Sequence, residues 1–227
     1  MKRPLVFILL LLGLNSLVSA QLRKYSNEFL NLGAGAKMAG MGNAGIGDVD
    51  DATAGYWNPA GLLQMKGKFQ MSLMHSPYFS GIANYDYGAI AKKIDESNAI
   101  GLSFLRFGID NIPNTLDLKD PSGQINYSRI KSFSVADYGV YLSYAHLLSE
   151  NSSLGGNVKI IRRTIGSFAS AWGFGVDLAY HKKVQDWEFG VVGRDIVGEV
   201  EVASVESCVP IGVKFFSLIN AFTAISI

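Results

Sequence analysis

Between Ala171 and His181 the chain alternates without a break. Trp172, Phe174, Val176, Leu178 and Tyr180 hold one parity, and Gly173, Gly175, Asp177, Ala179 and His181 hold the other. A period of two sends the two sets to opposite faces of a strand. Earlier, Tyr138, Val140, Leu142 and Tyr144 alternate in the same way with Asp137, Gly139, Tyr141, Ser143 and Ala145. Further apolar rows are Phe69, Met71 and Leu73; Tyr85, Tyr87, Ala89 and Ala91; Leu154, Val158 and Ile160; and Trp187, Phe189 and Val191. The stretch 100–107 is apolar on both parities, so it predicts a strand without assigning its faces. About seven strands of the ~9 to 11 residues that a tilted membrane crossing needs are expected.

Aromatic residues recur at the ends of these rows, as in the interfacial girdles of a membrane barrel. A secreted β-sandwich alternates too, with its apolar face turned to a core. Its other face would carry Lys and Glu, whereas here that face holds Gly, Ser, Ala and isolated Asp, which suits a filled lumen. Connection lengths agree. If the strand at Phe69 runs outward, the links 94–98, 149–153 and 184–186 fall on the periplasmic side and are short, while 109–132 falls outside and is long. Asn111, Pro113, Asn114, Pro121 and Gly123 mark that long link as a turn-rich loop.

The N-terminus carries an export address. Lys2 and Arg3 precede an apolar run from Leu5 to Leu14, and Val18-Ser19-Ala20 offers a cleavage site before Gln21. The run is shorter than the ~20 residues a helical anchor needs. No Cys stands at the cleavage point, so lipid modification is not indicated. No later segment is long and uncharged enough for a spanning helix, so any crossing is made by strands. Charged residues make up 17% and the net charge is +1, a balance that gives nucleic-acid binding no support. Cys208 is the only cysteine, so no intramolecular disulfide forms.

Residues 21–67 are rich in Gly and Ala and lack sustained alternation, so they have no place in the wall. A compact plug inside the lumen is expected, its small side chains letting backbone approach backbone. Within it, Asn58-Pro59-Ala60-Gly61 predicts a short helix, with Asn58 as cap and Pro59 in the first turn. Gly40-Met41-Gly42-Asn43-Ala44-Gly45 matches the GxGxxG pattern of dinucleotide sites. No strand precedes it, no βαβ unit follows and no acidic residue stands at the required distance, so tight packing is the expected role of these glycines. Asp48, Asp50 and Asp51 miss calcium-loop spacing and predict a solvated acidic turn. His75, His146 and His181 show no zinc or nucleophile–base spacing, and no GxSxG occurs. His181, beside Lys182 and Lys183, is expected at a strand end near the interface. No cofactor, metal or enzymatic activity is expected.

The segment GAGAKMAGMGNAGIGDVDDATAGYWNPAGLL resembles the N-terminal region of the PorV/PorQ family, which is itself similar to FadL-type outer-membrane transporters. The likeness rests on the turn at Gly40, Met41 and Gly42, on Asp50-Asp51-Ala52, and on Tyr56-Trp57-Asn58-Pro59-Ala60-Gly61-Leu62, and continues in style through Gly190–Asp195. It implies a transmembrane antiparallel β-barrel of fourteen strands with an N-terminal plug, in the outer membrane of a diderm bacterium. It also implies, for some members, a part in type IX secretion through handling of cargo. Seven rows fall short of that and cannot make an even-numbered barrel. Val209–Phe216 could supply an eighth, yet an eight-stranded lumen is just filled by side chains and would not hold a plug of this length. The texture also changes after Gly198. The expected division is therefore a signal peptide at 1–20, a plug at 21–67, a partial barrel at 68–198 truncated to about half of the strands, and a divergent tail at 199–227.

Polar residues in rows whose partners face lipid are the candidate lumen residues: Asp137, Asn157, Lys159, Asp177 and Arg194. Outer-membrane lipid, with secreted cargo or secretion-system components, are the expected partners. The alternative function is FadL-like passage of a hydrophobic ligand.

Overall fold

The structure, a computed structural model, describes residues 27–119, 123–205 and 220–226. Eight strands follow one another: β1 (Phe69–Tyr78), β2 (Ala83–Lys93), β3 (Asn98–Asn114), β4 (Lys131–Ser149), β5 (Ser152–Ile165), β6 (Ala169–Val184), β7 (Trp187–Val205) and β8 (Asn220–Ser226). Each pairs antiparallel with the next in a single sheet of order β1 to β8. The all-β antiparallel expectation is met. Among the described residues no pairing joins β8 back to β1, so these eight strands form an open sheet and do not by themselves close a barrel. Eight closed strands would enclose only side chains, and one face of this sheet already carries a folded segment. The candidate eighth strand at 209–216 and the signal sequence at 1–20 lie outside the described residues. So does the proposed cleavage site.

Alternation becomes two distinct faces. On the open face, Met71 and Leu73 of β1, Leu142 and Tyr144 of β4, Val158 and Ile160 of β5, and Trp172, Phe174 and Leu178 of β6 are all exposed, Leu73 by as much as 75%. On the packed face the same strands bury Ser143, Ala145, Ser153, Asn157, Lys159, Asp177 and Ala179. β3, ambiguous by pattern, resolves through its register with β2 and β4: Ile100, Leu102 and Phe104 face outward, while Ala99, Ser103 and Leu105 are buried.

β2 departs from expectation. Its row Tyr85, Tyr87, Ala89 and Ala91 lies on the packed face, fully buried, and Ile90 takes the open one. The tyrosines face inward because they meet other aromatic rings there: Tyr87 stacks edge-on against Tyr56, with ring centroids 5.9 Å apart. Its hydroxyl donates to Ser103 Oγ at 3.2 Å.

One end of the sheet carries the short links 94–97, 150–151 and 185–186. The long connection at the opposite end is shorter than expected, 115–130, because β3 continues to Asn114. A register shift between Ile109 and Ile112, with Asn111 at φ 60°, lets the strand restart beyond its turn-forming residues. β2 pairs only as far as Gly108, so Pro113 sits where the β2 side of β3 is a free edge and its missing N–H costs nothing. β7 likewise runs past Gly198 to Val205, paired with the start of β6, and β8 lies within 199–227.

The chain divides into two compact units, the first ending at Asn31. Its described part is a 3-10 turn, Glu28–Asn31. In the second unit the stretch before β1 forms α1 (Ala36–Gly40), α2 (Ala54–Trp57) and a 3-10 helix, Pro59–Gln64. Asn58 caps that last helix, its side chain accepting from Ala60 N at 3.1 Å with Pro59 in the first turn, as its sequence predicts.

Candidate functional site

The stretch 32–65 lies on the packed face, held at several backbone carbonyls. α2 is a single turn in which Ala54 O accepts from Asn58 N, while Gly55 O, four residues before Pro59, lacks the N–H donors of a longer helix. The wall supplies them: Gly55 O accepts from Asn157 Nδ2 at 2.8 Å and Ser143 Oγ at 3.3 Å. Ser153 Oγ donates to Ala60 O at 2.9 Å, and His181 Nε2 meets Gly47 O at 3.2 Å. Within the segment, Asn58 Nδ2 donates to Ile46 O (2.9 Å), Trp57 Nε1 to Ala34 O (2.7 Å), and Gly33 N to the Tyr56 hydroxyl (3.0 Å). Burial pushes the Tyr56 phenol up.

Two wall glycines make the approach feasible. A Cβ at Gly155 would lie 2.3 Å from Ala60 N, and one at Gly190 2.5 Å from Ile46 O. Both obstacles are backbone, so neither can move aside cheaply. Gly40 and Gly42, by contrast, have open space where a Cβ would go. This corrects the packing role expected for them: Gly42 adopts φ 63° in an exposed turn, the conformation Gly permits. Gly45 is the tight one of that group, against the Met38 and Met41 side chains.

Below α2 lies a buried ionic cluster. Lys159 and Asp177 have side chains only 2% exposed, and Lys159 Nζ bonds Asp177 Oδ1 at 2.8 Å and Asp195 Oδ1 at 2.5 Å. Asp177 also accepts from Asp195 N (2.9 Å) and Asn157 Nδ2 (3.2 Å). Arg194 lies over the rings of Tyr56 and Trp57, at 5.4 and 5.6 Å from their centroids. Lys159 is thus matched by Asp177 and by the half-exposed Asp195, which is how its charge survives away from water, whereas Arg194 Nη2 is buried without a hydrogen-bond partner among the described residues. Four of the five candidate lumen residues, Asn157, Lys159, Asp177 and Arg194, therefore converge beneath the segment. The fifth, Asp137, stands apart, bonded through both oxygens to Arg163.

Of the motif residues before β1, Asn58, Pro59, Ala60 and Gly61 are buried at the segment–sheet contact, whereas Gly40, Met41 and Gly42 are exposed. His181 is also not where it was expected: it is buried on the packed face, because the backbone turn at Gly47 covers it. Lys37 pairs with Asp48 and Asp50, and Lys66 with Asp50. Asp51 caps Thr53, accepting from its N–H at 2.7 Å. The acidic turn is thus held by lysines and by its own backbone. Among the described residues no group of His, Cys, Asp or Glu could hold a metal ion. Sequence reasoning passed over Ser143, Ser153 and Gly155. Their signal was small or hydroxylated residues recurring at inward parity.

A family model, that of type IX secretion system protein PorV, matches residues 21–194. No curated protein matches the chain.

Proposed function

The chain belongs to the PorV family of type IX secretion system proteins, and from that membership we propose that it is a non-enzymatic outer-membrane β-barrel protein that docks secreted cargo or secretion-system components. In this reading it is exported through the 1–20 signal, residues 21–67 are an internal plug, and the open face of the sheet contacts lipid.

One observation carries the membrane reading. The open face is apolar in consecutive register rows, Leu73–Gly88–Phe104–Val140–Ile160–Phe174 and Met71–Ile90–Leu102–Leu142–Val158–Val176. Soluble monomers rarely expose an apolar face that is contiguous across six strands. From Trp172 to Tyr180 this face runs about 26 Å along the strand at ~3.3 Å per residue, or roughly 20 Å of height at a tilt of ~40°. That approaches the ~25 Å apolar band of outer-membrane barrels.

Docking is favoured over passage of a hydrophobic ligand because the packed face is filled: Tyr56, Trp57 and Leu62 occupy it above the ionic cluster. Spin labels at Phe174 and Leu178 in reconstituted protein test the membrane reading. Strong collision with oxygen and weak collision with a water-soluble relaxant are expected, and bulk-water behaviour at both positions would overturn it. Recovery of exported proteins on the immobilised chain supports docking; lipid or detergent tails retained on the packed face would support passage instead.

A further inference from the structure

We infer that Arg162 and Trp172 form a binding site on the open face for an acylated phosphate, a lipid whose phosphate meets the guanidinium while its chain lies along the apolar rows below. The inference rests on the membrane reading above and deepens it. The pairing register carries one row across six strands: His75, Asp86, Arg106, Tyr138, Arg162 and Trp172. This row borders the apolar ones, so it marks where that face changes from hydrocarbon-like to polar.

Its two arginines differ. Arg106 bonds Asp110 through two contacts of 2.8 and 2.9 Å and has Asp86 at 3.6 Å. It is fully matched. Arg162 is exposed and has no carboxylate partner among the described side chains; its guanidinium lies over the Trp172 ring, 4.9 Å from the centroid. Stacking fixes the plane of the guanidinium while leaving its N–H edge free, and a planar fork of donors matches phosphate. Directly beneath, Ile160 pairs with Phe174 and Val158 with Val176, a continuous apolar track for an acyl chain. In the same row Glu201 stands opposite Trp172, one strand further from Arg162.

The test uses the full chain with lipid A, phosphatidylglycerol and phosphatidylcholine as probes. Flotation with phosphatidylcholine vesicles is measured first, because failure of the unmodified chain to float would overturn the membrane reading and this inference with it. Native mass spectrometry then counts lipid retained after detergent removal. Arg162→Gln is expected to float normally but to retain about fivefold less anionic lipid, the order expected for one basic residue at an anionic surface. Arg162→Lys keeps the charge without the fork and should fall between the two. Phosphatidylcholine retention should not change. Greater loss for lipid A than for phosphatidylglycerol assigns the site to a phosphomonoester, and the reverse to a phosphodiester. Equal retention of anionic lipid by the unmodified chain and Arg162→Gln overturns the inference.

Discussion

Lys159 shows how a single side chain can be indispensable without being a net source of stability. Its ammonium is buried against Asp177 and also reaches the half-exposed Asp195, and the desolvation of Lys159 and Asp177 offsets most of their attraction. Removing one partner leaves the others uncompensated. Lys159→Ala should therefore destabilise the fold by ~3 to 5 kcal/mol. Lys159→Met combined with Asp177→Asn should cost much less than the two single changes added together, and urea midpoints across that double-mutant cycle give the coupling. A second ionic group, Asp50, acts at the surface. The hydrogen bond from Lys66, aided by Lys37 and opposed by partial burial, holds its carboxyl below the usual carboxylate value of 3.8. A depressed folded-state pKa contributes stability that is complete above the unfolded value and is lost as pH falls through the folded one. Proteolysis at the 44–50 turn should thus increase below about pH 4, and Asp50→Asn should remove that step; the energy involved is under about 1 kcal/mol because the pair is exposed.

Among elements, β5 and β7 are shaped by what crosses them. Gly155→Ala and Gly190→Ala would press a methyl into the backbone at Ala60 and Ile46, so each should cost ~1 to 3 kcal/mol and loosen the 32–65 segment. Gly40→Ala, with open space and an ordinary φ, should be silent. Limited proteolysis of the segment separates these outcomes. The contrast also marks what the sequence can disclose. β4, β5 and β6 are legible because one parity is mostly apolar and the other small or polar, and the isolated charges Lys159 and Asp177 stand out against that pattern. β3 is not legible, since both parities are apolar and only its neighbours decide which faces out. Tyr85 and Tyr87 mislead because a tyrosine fits an outer girdle as well as an inner ring cluster, and the partner that decides, Tyr56, lies far away in sequence. Gly155 and Gly40 look alike as letters, and only the path of the crossing segment distinguishes them.

For the whole molecule, the decisive property is that the two faces of one sheet are stabilised by different surroundings. The packed face depends on the segment, on the carbonyl contacts to Gly55 and Ala60, and on the ionic cluster, all of which travel with the protein. The open face depends on whatever apolar medium meets Phe104, Leu142, Val158 and Phe174. Substitutions on neighbouring residues of one strand should therefore fail in different assays. Val176→Arg, like Val140→Arg, places a charge in the outward rows and should weaken insertion into vesicles by ~2 to 4 kcal/mol at mid-bilayer depth. Gly175→Ala directs a methyl to the other face, where Asp195 Oδ1 lies 2.7 Å and Lys159 Cε 3.0 Å away, and should lower the urea midpoint in detergent and bilayer alike. Measuring vesicle partition and detergent unfolding for each variant checks the assignment. If the valine and glycine changes shift both readouts in parallel, the two faces do not have the separate surroundings proposed for them.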